Sequence, residues 1–212
     1  MNILLAGKYF TGSEPLNQNI INFLKKKEIK FLISDDSFDL SFLLKEKINL
    51  IINSGYGPII KNDILKYFKN KIINMHNSYL PNGRGIYPNL WSIFCKYQSG
   101  ITLCYLDEGI DTGNIILQKK IYFNNDNITL KESWDILQNE LSNLLIEKWD
   151  YIINPKKLYD QNKMEGKKSY HNRKYSEELV KILPNKWKTT HKELKKIAKK
   201  YDFSYEKFIF SL

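Results

Sequence analysis

Apolar residues along this chain come in short blocks separated by polar turns. The first block, residues 2–6, ends at Gly7 and reads as a buried strand. Residues 29–34, 49–53 and 72–75 repeat that pattern, and the last runs directly into His76. Between these blocks the spacing turns helical. Pro15 is placed to open a helix carrying Ile20, Ile21, Phe23 and Leu24 on one stripe, with Lys25, Lys26 and Lys27 at its end. Residues 38–45 predict a short helix, and residues 62–68 another, with Asn62 as its cap. Strands alternating with helices predict a mostly parallel, Rossmann-like sheet covered on both faces.

Further on, residues 88–97 predict a helix that buries Trp91 and Phe94. Residues 100–106 and 114–123 read as two strands flanking a loop at 107–113. A long helix follows, from Leu130 to about Tyr151, with Thr129 as its cap and a leucine-rich core stripe. Asn154-Pro155 then breaks the pattern. Residues 156–173 are polar and basic and predict a linker or long loop. Two weaker helices are expected at 176–183 and 190–201, the second with Leu194, Ile197, Ala198 and Tyr201 on one face. The expected organisation is an α/β domain over 1–155 and a small, mainly helical extension over 156–212. That extension is too small for a deep core of its own, so it packs on the first domain or on a second subunit.

Composition narrows the picture. Of 212 residues, 42% are hydrophobic, enough for a sizeable core. No apolar run approaches the roughly 20 residues that span a bilayer. The start, MNILLAGKYF, lacks the features of a secretion signal. Two cysteines, Cys95 and Cys104, fit no disulfide framework or metal motif, and a reduced, cytoplasmic setting is expected. The formal charge of +10 favours phosphate-bearing partners of any kind.

Candidate chemistry concentrates between Asn74 and Gly113. Asn74 and His76 lie two residues apart at the end of a predicted strand, where parallel sheets bind ligands. Asp111 lies in a turn, Asp111-Thr112-Gly113, beyond a glycine- and proline-rich stretch. An amide can donate to a developing oxyanion. A histidine beside a carboxylate can donate to the same oxyanion or move protons, and the carboxylate can take a proton from an attacking amine. One His and one Asp fall short of a metal ligand set, so no metal is expected. Taken alone, a lone histidine in an N-x-H segment is more often structural than catalytic.

The ordered run changes that balance. Asn74-Met75-His76-Asn77-Ser78-Tyr79-Leu80-Pro81, then Arg84-Gly85, Gly100-Ile101-Thr102 and Asp111-Thr112-Gly113, resembles the folate-dependent formyltransferases over roughly residues 1 to 150. The resemblance implies 10-formyltetrahydrofolate as cosubstrate. It implies that Asn74 and His76 stabilise the tetrahedral intermediate and that Asp111 keeps the histidine charged and helps remove the amine proton. It also implies that main-chain groups of Tyr56, Gly57, Pro58, Ile59 and Ile60, and of Leu106, Asp107 and Glu108, hold the pterin. Gly55 and Gly57 without a third glycine do not make a dinucleotide fingerprint.

Among the family's branches, the methionyl-tRNA enzymes carry a larger C-terminal β-barrel, which the helical pattern after 155 does not predict. The hydrolases carry an extra N-terminal regulatory domain, and none is expected where the sequence opens on its first strand. The glycinamide ribonucleotide enzymes use a Gly-Ser-Asn loop where this chain has Gly7-Lys8-Tyr9-Phe10. The run from Asn82 to Trp91, and Asp107-Glu108-Gly109-Ile110-Asp111-Thr112-Gly113, is similar to the enzymes that formylate amino sugars on nucleoside diphosphates for cell-surface polysaccharide. Candidate acceptor-binding residues are then Lys8, Tyr9, Phe10, Asn77, Arg84, Tyr87 and Pro88. Arg84 reads equally as a phosphate ligand or a loop-bracing arginine, and Tyr9 and Phe10 equally as stacking or core residues. A solvated Lys8 and a core Trp91 are the simpler assignments, and His171 and His191, in the polar tail, are assigned no chemistry. A homodimer is expected, without membrane or nucleic acid. The rival of another class is a basic nucleic-acid-binding module, resting on the charge and on Lys186-Trp187-Lys188.

Overall fold

The computed structural model describes residues 1–12, 15–55, 57–165 and 168–200. In chain order the elements are β1 (Asn2–Ala6), α1 (Gln18–Lys26), β2 (Lys30–Ser34), α2 (Leu40–Lys45), β3 (Leu50–Asn53), α3 (Asn62–Tyr67) and β4 (Ile72–His76). Then come β5 (Arg84–Gly85), α4 (Pro88–Phe94), β6 (Gly100–Tyr105), β7 (Ile115–Lys120), α5 (Leu130–Glu147) and α6 (Trp149–Ile152). Last are β8 (Tyr170–His171), α7 (Arg173–Lys181) and α8 (His191–Lys200). The main sheet has six strands in the order β2-β1-β3-β4-β6-β7. The pairs β1–β2, β1–β3 and β3–β4 are parallel. Tyr105 N donates to Asn114 O, and Ile121 N donates to Ser99 O, so β6 and β7 run antiparallel.

The chain forms two compact units. The first comprises Met1–His76, Leu103–Leu117 and Gln138–Asp160, and the second comprises Asn77–Thr102, Gln118–Leu137 and the described residues from Gln161 onward. In the first unit the inner strands are buried on both faces, which explains why they read as continuous apolar runs. Leu4, Ala6, Ile51 and Ile72 share a core cluster with Leu43, Ile60, Ile64 and Phe68. Ile3, Leu5, Ile52 and Ile73 alternate with them along the strands and are fully buried as well. At the sheet edge, β2 leaves Leu32 and Ile33 partly exposed. A buried polar chain ties the unit together: Ser142 Oγ donates to Asn17 Oδ1, and Asn17 Nδ2 donates to Ser54 Oγ.

In the second unit α4, α7 and α8 pack around Leu90, Trp91, Phe94, Leu179 and Leu194. Trp91 Nε1 donates to Ser176 Oγ at 2.9 Å. The helices α5 and α8 both start on reciprocal caps. Thr129 N donates to Glu132 Oε2 while Glu132 N donates to Thr129 Oγ1, and Thr190 with Glu193 repeats the arrangement.

Several expectations need correction. The first helix starts at Gln18, because Pro15 forms a turn whose carbonyl accepts from Gln18 N. Lys61, not Asn62, occupies the cap position of α3, and it makes no side-chain cap bond. The segment 156–173 is not a plain linker. It contains a 3-10 turn (Gln161–Lys163) and β8, which pairs in parallel with β5. His171 and His191, which were assigned no chemistry, are core residues. Both are buried: His171 stacks on Trp91 at 4.0 Å and His191 meets the ring of Phe123 edge-on. Within the expected stripe of the last helix, Leu194 is buried and Ile197 and Ala198 pack against its cluster, while Tyr201 lies outside the described residues.

Candidate active site

The site grows from the carboxyl ends of β3 and β4. These parallel strands pair in register, Ile51 with Ile72, Ile52 with Ile73, and Asn53 with Asn74. The last pair places two side-chain amides side by side at the strand ends. Asn53 Nδ2 donates to Asn74 Oδ1 at 2.6 Å. Asn74 Nδ2 donates to Asp111 Oδ1 at 2.9 Å. Two residues on, where the strand returns to the same face, His76 Nδ1 stands 3.6 Å from the same carboxylate oxygen, within ion-pair range. Asn74 and His76 are both buried, so the carboxylate meets them in a setting that strengthens electrostatics. Of the three residues singled out from the sequence, Asn74 and His76 thus converge on one oxygen of the third, Asp111 Oδ1.

Loop geometry delivers Asp111. Leu106 N donates to Ile72 O, which ties the start of the loop to β4. Asp107 Oδ1 then accepts from Gly109 N at 3.1 Å and from Thr112 Oγ1 at 2.6 Å. Asp111 itself adopts a left-handed backbone, φ +53°. Aspartate tolerates that conformation better than most residues. At Gly113 a Cβ would collide with the carbonyl of Tyr105, so the chain can return to the sheet only through glycine.

The loop after β3 is shaped by the same unit. Gly55 has φ +69°, and a Cβ there would meet the ring of Tyr9 at 2.5 to 2.9 Å. Gly57 faces open space, with nothing within 4 Å of a Cβ. Pro58 and Glu108 are exposed, and Ile59 is 94% exposed. Ile60 instead turns inward to the core, and Leu106 packs against the same cluster. Tyr56 lies outside the described residues.

The expected acceptor-binding residues divide. Lys8 is exposed, with Nζ 5.3 Å from the ring centre of Tyr9. Tyr9 is half-buried against Gly55, but Phe10 is 1% exposed and belongs to the core. In the second unit Arg84 is 4% exposed, and its Nε and Nη2 both donate to Gln161 Oε1, at 3.1 and 2.8 Å. Of its two readings, bracing is the one this geometry fits. Asn77 is buried, and its Oδ1 has no hydrogen-bond partner among the described residues. Tyr87 takes a left-handed backbone just before α4 and sets its ring edge-on to Trp187, and Pro88 opens the helix.

Sequence reasoning passed over Asn53 and Gln161. A polar residue closing an apolar strand beside Asn74 was a usable signal for the first. For Gln161, 77 residues from Arg84, there was none.

The profile of a family described as formyl transferase matches residues 21–147. This chain belongs to the formyl transferase family. A crystal structure of the formyltransferase PseJ from Anoxybacillus kamchatkensis, in complex with UDP-4,6-dideoxy-4-formamido-L-AltNAc and tetrahydrofolate, superimposes with a TM-score of 0.80. The two sequences are 32% identical, and the match covers 92% of this formyl transferase family chain and 97% of PseJ. An N-formyltransferase from Helicobacter canadensis shares the fold, with a TM-score of 0.62 at 24% identity, over 81% of this chain and 71% of that one. Methionyl-tRNA formyltransferase from Finegoldia magna is 35% identical over 127 residues, which is 57% of this family member but 41% of the relative. The chain therefore matches less than half the length of that curated relative.

Proposed function

We propose that this chain transfers a formyl group from 10-formyltetrahydrofolate to the amine of an amino sugar carried on a nucleoside diphosphate, for cell-surface polysaccharide. The observation that carries the proposal is the convergence of Asn74 and His76 on one carboxylate oxygen of Asp111. The choice of acceptor rests on the match to PseJ, which spans nearly both chains, whereas the match to the tRNA enzyme covers 41% of that relative.

The folate supplies the formyl carbon. Asn74 has two amide protons: one goes to Asp111, and the second is free for the oxygen that gains charge as the amine attacks. His76 donates to the same oxygen. Asp111 accepts the proton that the attacking nitrogen releases, directly or through water, and returns it to the leaving folate nitrogen. One C–N bond forms, one breaks, and the proton balance closes within the site. Main-chain groups of Gly57, Pro58, Ile59, Ile60, Leu106, Asp107 and Glu108 hold the pterin in this proposal. The open space at Gly57 and the exposed side chains of Ile59 and Ile110 suit a flat, partly apolar ring. Lys8 and Tyr9 are the proposed acceptor contacts of the first unit; within the second unit Asn77, Tyr87 and Pro88 keep that expectation, and Arg84 braces its loop through Gln161. The enzyme works as a cytoplasmic homodimer.

The test is a panel of UDP- and dTDP-linked 3-amino and 4-amino sugars with 10-formyltetrahydrofolate, read by mass spectrometry. A mass gain of one formyl group on at least one sugar supports the proposal. Methionyl-tRNA belongs in the same panel, because the Finegoldia magna relative is 35% identical and this chain carries a charge of +10. Formylation of the tRNA alone overturns the sugar assignment.

A further inference from the structure

Asn53 has no role in the chemistry described so far, yet it begins the hydrogen-bond chain that ends at the catalytic carboxylate. Its Nδ2 donates to Asn74 Oδ1 at 2.6 Å, and Asn74 Nδ2 donates to Asp111 Oδ1 at 2.9 Å. The polarity of this chain is dictated from the Asp111 end. A carboxylate only accepts, so the Asn74 group facing it must be the NH2. Oδ1 of Asn74 then faces Asn53 and requires a donor there. Turning the Asn74 amide over would set its oxygen against Asp111 and its NH2 against the NH2 of Asn53. Two hydrogen bonds would become two repulsions. The backbone register of β3 and β4 places the two amides within reach, so the pairing is built into the sheet.

We infer that Asn53 is a positioning residue: it locks the Asn74 amide in the one orientation that presents an N–H donor to the reacting oxygen. Asn53 does little else. Its Oδ1 is buried and has no hydrogen-bond partner among the described residues. Keeping a buried acceptor unsatisfied is costly, which marks the side chain as held for the bond it does make. This inference rests on the formyl-transfer proposal for its activity readout, but not for its structural one.

Asn53→Asp is nearly isosteric and separates orientation from packing. While ionised, the introduced carboxylate can only accept, so it draws the Asn74 NH2 away from Asp111. Once protonated, it donates through its O–H and restores the original polarity. The other ionisable groups of this network are His76 and Asp111, so turnover is compared with wild type at each pH. At neutral pH the Asn53→Asp variant is expected to lose roughly 100-fold in kcat, the scale of a lost oxyanion donor. That deficit narrows as pH falls toward the range where a carboxyl group protonates. Asn53→Ala, which removes one neutral hydrogen bond, is expected to lose roughly fivefold to tenfold in kcat at every pH, with KM for folate unchanged.

A second readout needs no substrate. The side-chain amide protons of Asn74, followed by 15N–1H correlation spectroscopy, are expected to exchange slowly in wild type and faster in Asn53→Ala. Thermal melts establish that both variants fold, and if Asn53→Asp does not, Asn53→Ala and the exchange measurement decide. A constant ratio of Asn53→Asp to wild-type turnover across pH overturns the inference. So does an Asn53→Ala enzyme within twofold of wild type, or unchanged Asn74 exchange. If wild type formylates no amine tested, the proposed function fails, and the exchange measurement still decides the role of Asn53.

Discussion

Replacing Asp111 with asparagine isolates its chemistry from its place in the fold. Asp111 has φ +53°, a conformation that asparagine adopts as readily as aspartate. The new amide can still offer its oxygen to Asn74 Nδ2, which in the native protein donates to Asp111 Oδ1 at 2.9 Å. What changes is charge. The bond from Asn74 drops from charge-assisted to neutral, a loss of about 1 kcal/mol. The ion-pair contact across the 3.6 Å to His76 Nδ1 is lost, and so is the proposed base for the amine proton. Losing a positioned acid–base group lowers rate roughly 10²- to 10⁴-fold. The melting free energy is expected to change by no more than about 1 kcal/mol. Asp111→Ala makes the contrast: it loses the same chemistry and adds about 1–2 kcal/mol of left-handed backbone strain, so it is inactive and also less stable. The assay pairs steady-state turnover with calorimetric melting. An Asp111→Asn enzyme within tenfold of wild type would refute the assignment of Asp111 as the base.

Three further expectations follow from other parts of the structure. His76→Ala and Asn74→Ala should each cut kcat roughly 100-fold or more while leaving tetrahydrofolate binding measurable by calorimetry, because in the proposed mechanism both act on charge that develops during reaction. Burial, helped by the nearby Lys195 charge and opposed by Asp126, pushes His191 down to about 4. Its folded value lies below the ordinary 6.5, so the stability it contributes is present above pH 6.5 and is lost as pH falls through 4. With solvent screening allowed for, the loss is about 2 kcal/mol, and urea melts of wild type and His191→Phe between pH 7 and 4 should converge by about that amount. Gly55→Ala should destabilise by about 2 kcal/mol, because its φ of +69° strains a side chain and the new methyl meets the Tyr9 ring, and Tyr9→Ala should recover part of that loss.

Much of the fold is written locally. The continuous apolar runs of the inner strands, the amphipathic stripe of α8 and the Thr129 cap depend on neighbours a few residues away, so spacing alone reveals them. The three residues of the candidate site were legible for a related reason: Asn74 and His76 sit where an apolar strand stops, and the turn at Asp111 is marked by Gly109 and Gly113. Boundaries were less legible, as Pro15 and Asn62 show, because a turn or cap is decided by backbone torsions that several residue types can adopt.

What the sequence determined by itself is most of the elements, the family resemblance and the candidate residues of the site. Only the tertiary structure decided which groups far apart in the chain share a hydrogen bond. Asn53 meets Asn74 because two parallel strands align in one register, and those residues are 21 apart in the chain. Arg84 meets Gln161 across 77 residues, and that bond turns an arginine that could have bound phosphate into a buried brace. His171 is a core residue because β8 pairs with β5 and sets its ring on Trp91. Periodicity reports which face a residue occupies, but partners across a sheet depend on how strands slide and stack, and no local spacing encodes that.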